Sequence, residues 1–499
     1  MARGSARRVP LKLLALAAML IPLFLLNRQS ELPSTERTEG AILWVLCLAP
    51  AVLYVFSRPR RRTPIPIFPL IGVMFALYYA LPALMGAVNL AYNPKQTRIP
   101  LLDPQTQFSG AVDLALGGWA MALLGYIVLP LFYRPRLRPE KPWPVRSLGP
   151  WLVLMVAGGL VAELARAVIS LPSWANGAVA FIATLSRFAI GMLLALRARQ
   201  QLRPREKLAL MIGVPAELTL LLSSGSIASI FLFVLFLILA QHVGGGYVRI
   251  RWLIFGVAAA IPVVAIKGVL GEYRQQAWFS EAHLGVAGRT ALIGSLLGDE
   301  VQTNGVVATV EHGWSAVVIR SATLDLFADV VQRTPRDIPY WGGQTYLSLV
   351  GLAIPRFLWP SKPTKALGQD FGHRYEFLDV RDNYTSINFP FLSEFYANFG
   401  AMGVILGMFL TGVIYRALDL LLNVPGQSTI RSLVGLSILL PLLNIESDFS
   451  LVFGGLFLNA VAFHLVLRFL RKRIAAAAPR GRHSSARIAV GSPESHPVS

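Results

Sequence analysis

The sequence predicts an all-α polytopic membrane protein with about twelve membrane-crossing helices and one large outer loop. Three observations carry this. The 499 residues are 55% hydrophobic and only 14% charged, whereas a soluble domain has roughly a quarter charged residues. Mean hydropathy is +0.57, and many apolar runs approach or exceed the ~18 residues that indicate a span. The formal charge of +20 is gathered in short clusters beside apolar runs, the pattern by which positive charge sets topology. No soluble basic face with aromatic platforms is evident, which argues against nucleic acid as a partner. The single cysteine, Cys47, lies in an apolar run, so neither an intrachain disulfide nor a cysteine-based metal site is expected.

The N-terminal stretch MARGSARRVPLKLLALAAMLIPLFLLN lacks a small-x-small cleavage site after its apolar part, so it reads as the first span. Spans are expected near residues 10–27, 40–57, 67–90, 112–133, 148–170, 177–197, 207–223, 226–243, 250–270, 393–415, 429–445 and 449–469. The connection SSGS at 223–226 is short enough for a tight hairpin. Alternate connections carry the cations: RPRRR (58–62), RPRLRPEKPWPVR (134–146), RARQQLRPREK (197–207), VRIR (248–251), Arg416 with Arg431, and RFLRKR (468–473). With twelve spans all of these fall on the side that also holds Arg3, Arg7, Arg8 and Lys12. Both termini are therefore expected in the cytoplasm.

Four regions follow: a nine-helix membrane region (1–270), a large outer loop (271–392), a three-helix membrane region (393–473) and a polar tail (474–499) expected to be disordered. The loop carries 10 Lys and Arg against 12 Asp and Glu, so it is a domain of mixed charge and gives no topology signal. Loops of this length without a function are uncommon. Its first part predicts two or three amphipathic helices, some lying in the interface plane. The apolar segment TYLSLVGLAI (345–354) is too short for a span and predicts an interfacial or re-entrant helix, ended by Pro355.

Charges in or beside hydrocarbon are costly and are commonly functional. Lys267, Glu272 and Arg274 lie within two helical turns at the end of the ninth span. They are either a snorkelling lysine with a surface ion pair or an anion site at the outer leaflet. Glu163 and Arg166 share a helix face and predict an internal ion pair; Arg187 and Glu217 are further candidates for pairing between helices. In the loop, Arg320 sits among apolar residues. Asp325 and Asp329 are four apart and read chiefly as the solvated face of an amphipathic helix, with an acid–base pair or metal site as the alternative.

His283, His312 and His373 lack the close spacing of zinc helices. No metal, cofactor, nucleophile elbow or phosphate-binding glycine loop is expected. The stretch GLAIPRFLWPSKPTKALGQDFGHRY (351–375) offers Arg356, Lys362, Lys365 and Trp359. Arg holds phosphate oxygens with a planar fork and Lys as a point charge. Trp suits a membrane interface, so plain anchoring against lipid headgroups is the alternative. Glu394 re-enters the membrane among Phe391, Phe395, Tyr396 and Phe399. The glycines at 400, 403, 407 and 412 allow close helix packing.

The motifs IPRFLWPSKP, then TS, then SEFYANFGAMGVILGMFLTGVIYR resemble the C-terminal half of bacterial oligosaccharide repeat-unit polymerases, the Wzy-type O-antigen polymerases. The resemblance covers roughly residues 267–416, and the N-terminal half matches in hydropathy alone. It implies a GT-C-like, metal-independent glycosyltransferase of the bacterial inner membrane, acting at the periplasmic face. A glycan on undecaprenyl pyrophosphate would be moved onto a new lipid-linked repeat unit, releasing undecaprenyl pyrophosphate. Arg356 and Arg274, then Arg320, Lys362, Lys267 and Trp359, are the candidates to hold pyrophosphate or sugar. Glu394, Glu272 and His373 are the candidate bases. Membrane lipids, a chain-length regulator and a flippase would be its partners. An O-antigen ligase and a polysaccharide flippase or transporter are the rival expectations.

Overall fold

Helices account for nearly all of the order in the computed structural model, which describes residues 11–26, 34–58, 62–85, 109–133, 145–169, 172–245, 250–278, 284–321, 323–347, 349, 359, 367–382 and 386–477. No strand occurs among the described residues. In chain order the helices are α1 (Leu11–Leu26), α2 (Ser34–Phe56), α3 (residues 67–85), α4 (Ser109–Phe132), α5 (Val145–Val168), α6 (Ser173–Ala198), α7 (Pro204–Ser223) and α8 (Ile227–Gly245). There follow α9 (Ile250–Trp278), α10 (Val286–Ser321), α11 (Thr323–Arg333), α12 (Leu367–Arg374), α13 (Phe391–Leu422), α14 (Thr429–Leu439) and α15 (Phe449–Ala477). Among the described residues, eight are long and apolar enough to cross a membrane: α2, α3, α4, α5, α6, α8, α13 and α15. The protein is thus an all-α polytopic membrane protein. The other four expected spans fall on α1, α7, α9 and α14. The first residues of the expected tail, 474–477, continue α15, and 478–499 lie outside the described residues.

Local chemistry sets several boundaries. Pro204 opens α7 at the position where its missing N–H costs nothing, and the Glu206 carboxylate reaches back to the Arg203 N–H at 2.9 Å. Ser428 caps α14 by accepting the Arg431 N–H at 3.3 Å. Two helices reverse at glycines in the left-handed region, Gly305 (φ 82°) in α10 and Gly400 (φ 66°) in α13. The expected span at 393–415 is therefore a short re-entrant helix, 391–399, doubling back on a longer one that starts after Gly400. A Cβ at Gly403 would strike the Phe395 carbonyl, and one at Gly407 would strike the Phe395 ring.

With lipid outside there is little hydrophobic gain in bringing helices together, so close backbone approach matters. α4 and α13 cross with almost no space between them. A Cβ at Gly125 would overlap the Phe409 carbonyl, and one at Gly412 would overlap that of Ala122. Polar contacts finish this crossing: Tyr126 donates to Asp419, and the Asn423 amide donates to Asp419 at 2.8 Å and to the Ile65 carbonyl at 2.6 Å.

The connections sort into two ends of the bundle. At one, Asn423 meets Ile65, and Arg199 bonds the Gly244 carbonyl at 3.2 Å and the Thr429 hydroxyl at 2.5 Å. Among the described residues this end holds Arg62, Arg199, Arg203 and Arg431. At the other, Tyr273 donates to the Ser223 carbonyl at 2.6 Å and the Phe449 N–H donates to Glu394 at 2.7 Å. The expected intramembrane pairs form between these ends. Arg166 meets Glu163 at 3.2 Å, and Arg187 bridges Glu163 at 3.5 Å and the fully buried Glu217 at 2.5 Å. The Ser186 hydroxyl donates to the second oxygen of Glu217 at 2.7 Å.

The outer loop is docked on the bundle. Leu324, Phe327 and Ala328 of α11 join the main core, while Val330 joins a second cluster with Ile338, Leu367, Phe371, Tyr375 and Phe389. Arg333 ties α11 to α12 through the Tyr375 carbonyl at 2.6 Å and Glu376 at 2.9 Å. Asp325 and Asp329 are not a solvated face: Asp329 is 8% exposed and Asp325 is half-buried with a buried, unpartnered Oδ1. The hydrophobic stripe of α11 is wide enough to carry both carboxylates inward. Burial raises the pKa of Asp325 to about 7. Burial also raises Asp329 to about 6, with Arg333 lowering it and Glu376 raising it.

Gly412→Val pushes methyl groups onto the Ala122 carbonyl, and overpacking of this kind costs about 1–3 kcal/mol. The expected result is a fall of several degrees in Tm in detergent. Gly158→Ala, with nothing within 4 Å of its Cβ, should leave Tm unchanged or slightly raised. A second expectation concerns pH. The folded protein holds the Asp325 proton up to about pH 7, whereas an unfolded Asp loses it near ~4. This group's stabilisation is therefore full below about pH 4 and lost as pH rises through about 7. Asp325→Asn should raise Tm at pH 8 and make no difference near pH 4, as read by thermal unfolding across pH.

Candidate functional site

The end of the bundle away from Arg62, Arg199, Arg203 and Arg431 holds a pocket of about 350 Å³, walled by Leu77, Ile230, Val234, Val264, Leu270 and Leu443. That volume lies within the range of small-molecule sites. Its polar lining residues are Tyr78, Ser226, Lys267, Arg274, Asn444 and Glu446. They come from four separate parts of the chain.

Each arrives for a local reason. α3 contains a π turn over Ala76–Ala80, in which the Leu81 N–H bonds the Ala76 carbonyl. One residue is added to the ladder there, and π turns of this sort are frequent at functional sites. Tyr78 consequently lines the pocket, while Tyr79 is fully buried against Phe75 and Phe327, with ring centroids 4.4 and 6.4 Å away. The tight connection at 223–226 places Ser226 at the start of α8, as its length predicted.

Lys267 and Arg274 are seven residues apart, two helical turns, and so share one face of α9. Both are half-buried in the pocket wall. Arg274 donates to the Gly225 carbonyl at 3.1 Å, and next to it Tyr273, wholly buried, donates to Ser223. The outer end of α9 is thereby fixed to the α7–α8 connection. The expected anion site on α9 thus keeps two of its three residues together. Glu272 points elsewhere: it is exposed and accepts from Gln276 at 3.0 Å.

The fourth part is the turn between α14 and α15. Leu440–Leu443 closes α14 as a 3₁₀ turn, and Asn444 donates to the Ser447 hydroxyl at 2.8 Å. Glu446 is 5% exposed in the pocket wall. Three residues on, the Phe449 N–H opens α15 and donates to Glu394 Oε2.

Glu394 is completely buried and is not among the pocket-lining residues. It belongs to a polar node at the re-entrant helix. Asn398 accepts the Gly343 N–H at 2.8 Å and donates to the Thr345 hydroxyl at 2.9 Å and to the Glu394 carbonyl at 2.8 Å. Glu394 Oε1 and the Ser393 hydroxyl are buried without hydrogen-bond partners among the described residues. The node locks the segment 343–346 and the start of α15 to the re-entrant helix.

Of the remaining candidates, His373 and Trp359 are not among the residues that line the pocket. His373 is half-buried on α12. Arg320 lies at the end of α10, with only its backbone described. Arg356, Lys362 and Lys365 fall outside the described residues, and Trp359 is 40% exposed. Of the segment 345–354, the described start forms a 3₁₀ turn over Gln344–Tyr346. Among the described residues no group of three or more His, Cys, Asp or Glu is placed to hold a metal. Sequence reasoning missed Glu446, Asn444, Ser226 and Tyr78. The signal was present for Glu446, a carboxylate between two apolar runs in LLNIESDFS.

A family model described as a domain of unknown function, DUF8712, matches residues 152–423. No curated protein and no solved structure matches the chain. The matched span covers more than half of the sequence and runs from α5 through α13, taking in the cationic wall of the pocket, the docked loop and the re-entrant helix; the chain belongs to the DUF8712 family.

Proposed function

We propose that the protein is a glycosyltransferase of the repeat-unit polymerase type. It has twelve spans and both termini in the cytoplasm of a bacterial inner membrane, with a GT-C-like architecture. It moves a glycan from undecaprenyl pyrophosphate onto a second lipid-linked repeat unit at the periplasmic face. The observation that supports this most is the pocket. Its walls are apolar, and Lys267 and Arg274 provide cations at the bundle end opposite Arg62, Arg199, Arg203 and Arg431. By the positive-inside rule that end faces away from the cytoplasm.

The chemistry fits these residues. Pyrophosphate is already a good leaving group, so the barrier falls chiefly through stabilisation of the charge that develops on it. A guanidinium and an ammonium supply that stabilisation without a metal. An apolar wall beside them suits the first units of an isoprenoid chain. A ligase that transfers the finished glycan to another lipid would use the same donor chemistry.

Deletion of the gene separates these outcomes. Loss of a polymerase leaves single repeat units on the acceptor lipid, whereas loss of a ligase leaves long chains on the carrier. Loss of a flippase traps units on the cytoplasmic side. Unchanged chain length after deletion would sink the proposal. Within the polymerase reading, Lys267→Ala and Arg274→Ala should each reduce polymer at least tenfold with normal membrane insertion, measured by gel profiles of the glycan and immunoblots of the membrane fraction.

A further inference from the structure

We infer that Glu446 is the proton acceptor for the attacking sugar hydroxyl and that Glu394 is a positioning residue that holds the Glu446 turn in place. This rests on the glycosyl-transfer reading above. Three observations carry it. Glu446 is the one carboxylate among the described residues lining the pocket that also holds Lys267 and Arg274. Its turn is braced on both sides, by the 3₁₀ closure of α14 before it and by the Phe449 N–H to Glu394 bond after it. Glu394 spends one carboxylate oxygen on that bond and has no surface on the pocket.

The step balances within the named groups. The acceptor hydroxyl oxygen bonds to the anomeric carbon of the donor sugar. The bond from that carbon to the pyrophosphate oxygen breaks, and its electron pair leaves on the phosphate beside Lys267 and Arg274. The hydroxyl proton passes to the Glu446 carboxylate, which afterwards releases it to solvent. Glu446 comes from the α14–α15 turn and the cations from α9, so the acceptor and the leaving group are served by different elements of the pocket wall.

The test uses the full-length protein in nanodiscs. Turnover is measured with lipid-linked repeat units isolated from the deletion strain, and binding with undecaprenyl pyrophosphate alone. A positioned base contributes about 10²–10⁴-fold, so Glu446→Gln should lose at least a hundredfold in turnover. Its affinity for undecaprenyl pyrophosphate should stay within threefold of wild type or tighten, since a negative charge has left the anion's pocket. Glu446→Asp, which keeps the carboxylate one methylene further back, should bind normally and turn over at least tenfold more slowly than wild type.

Glu394→Gln keeps an oxygen to accept the Phe449 N–H. It should cost at least tenfold less turnover than Glu446→Gln, whereas Glu394→Leu should lose far more than Glu394→Gln. The inference is overturned if Glu446→Gln turns over within threefold of wild type, or if it loses binding in parallel with turnover. It is also overturned if Glu394→Gln proves the more damaging. If wild type neither elongates the repeat units nor binds undecaprenyl pyrophosphate, the glycosyl-transfer reading falls and takes the inference with it. If wild type does both and Glu446→Gln is unimpaired, the assignment of Glu446 alone falls.

Discussion

Where α4 and α13 cross, Gly125 and Gly412 each leave room for a peptide carbonyl of the other helix in the space a side chain would fill. Bilayer lipid is as apolar as leucine, so packing at this range does for the helices what water exclusion does in a soluble core. Much of the molecule hangs from this crossing. It fixes the long arm of α13, and Gly400 then sends the short arm back along it. The short arm carries Asn398 and Glu394, which hold the loop segment 343–346 and the first N–H of α15. From α15 the chain leads back through three residues to Glu446. A contact between two backbones deep in the bundle thereby fixes the position of a carboxylate at the end that holds the pocket.

Charge inside the bundle is handled in two different ways. The Glu163–Arg187–Glu217 network closes on itself, with each buried oxygen of Glu217 taken by Arg187 or Ser186. Such a network is costly to disturb, because removing one partner strands the other in low dielectric. The pocket is a different arrangement, in which Lys267, Arg274 and Glu446 come from separate elements and line one shared volume. The first arrangement belongs to the scaffold, and the second lines a cavity.

Much of the fold was legible in the sequence. Helices fall at the expected span positions, eight of them long and apolar enough to cross a membrane, and the pairing of Glu163 with Arg166 followed from their spacing. Lys267 and Arg274 were legible as a pair because helical periodicity alone puts them on one face. Their distant companions were not, since Ser226, Tyr78 and Glu446 reach the pocket through tertiary contacts that no local period encodes. Glu394 was visible as a carboxylate in an aromatic setting, but its orientation away from the pocket depends on the reversal at Gly400. That glycine reads in sequence as one more small residue for helix packing. Asp325 and Asp329 were misread because their four-residue spacing looks the same whether the shared face meets water or the bundle.

The π turn in α3 makes the count of residues in that helix a structural quantity. Dropping one residue from Ala76–Ala80 would restore regular α-helical bonding. It would also rotate everything beyond by about 100°. Ala83 would then leave its close seat against Gly40 of α2, and Tyr78 would leave the pocket. Substitution is tolerated at such a place far more readily than a change in length. The outer wall of the pocket is thus kept in phase with the N-terminal helices by a single surplus residue.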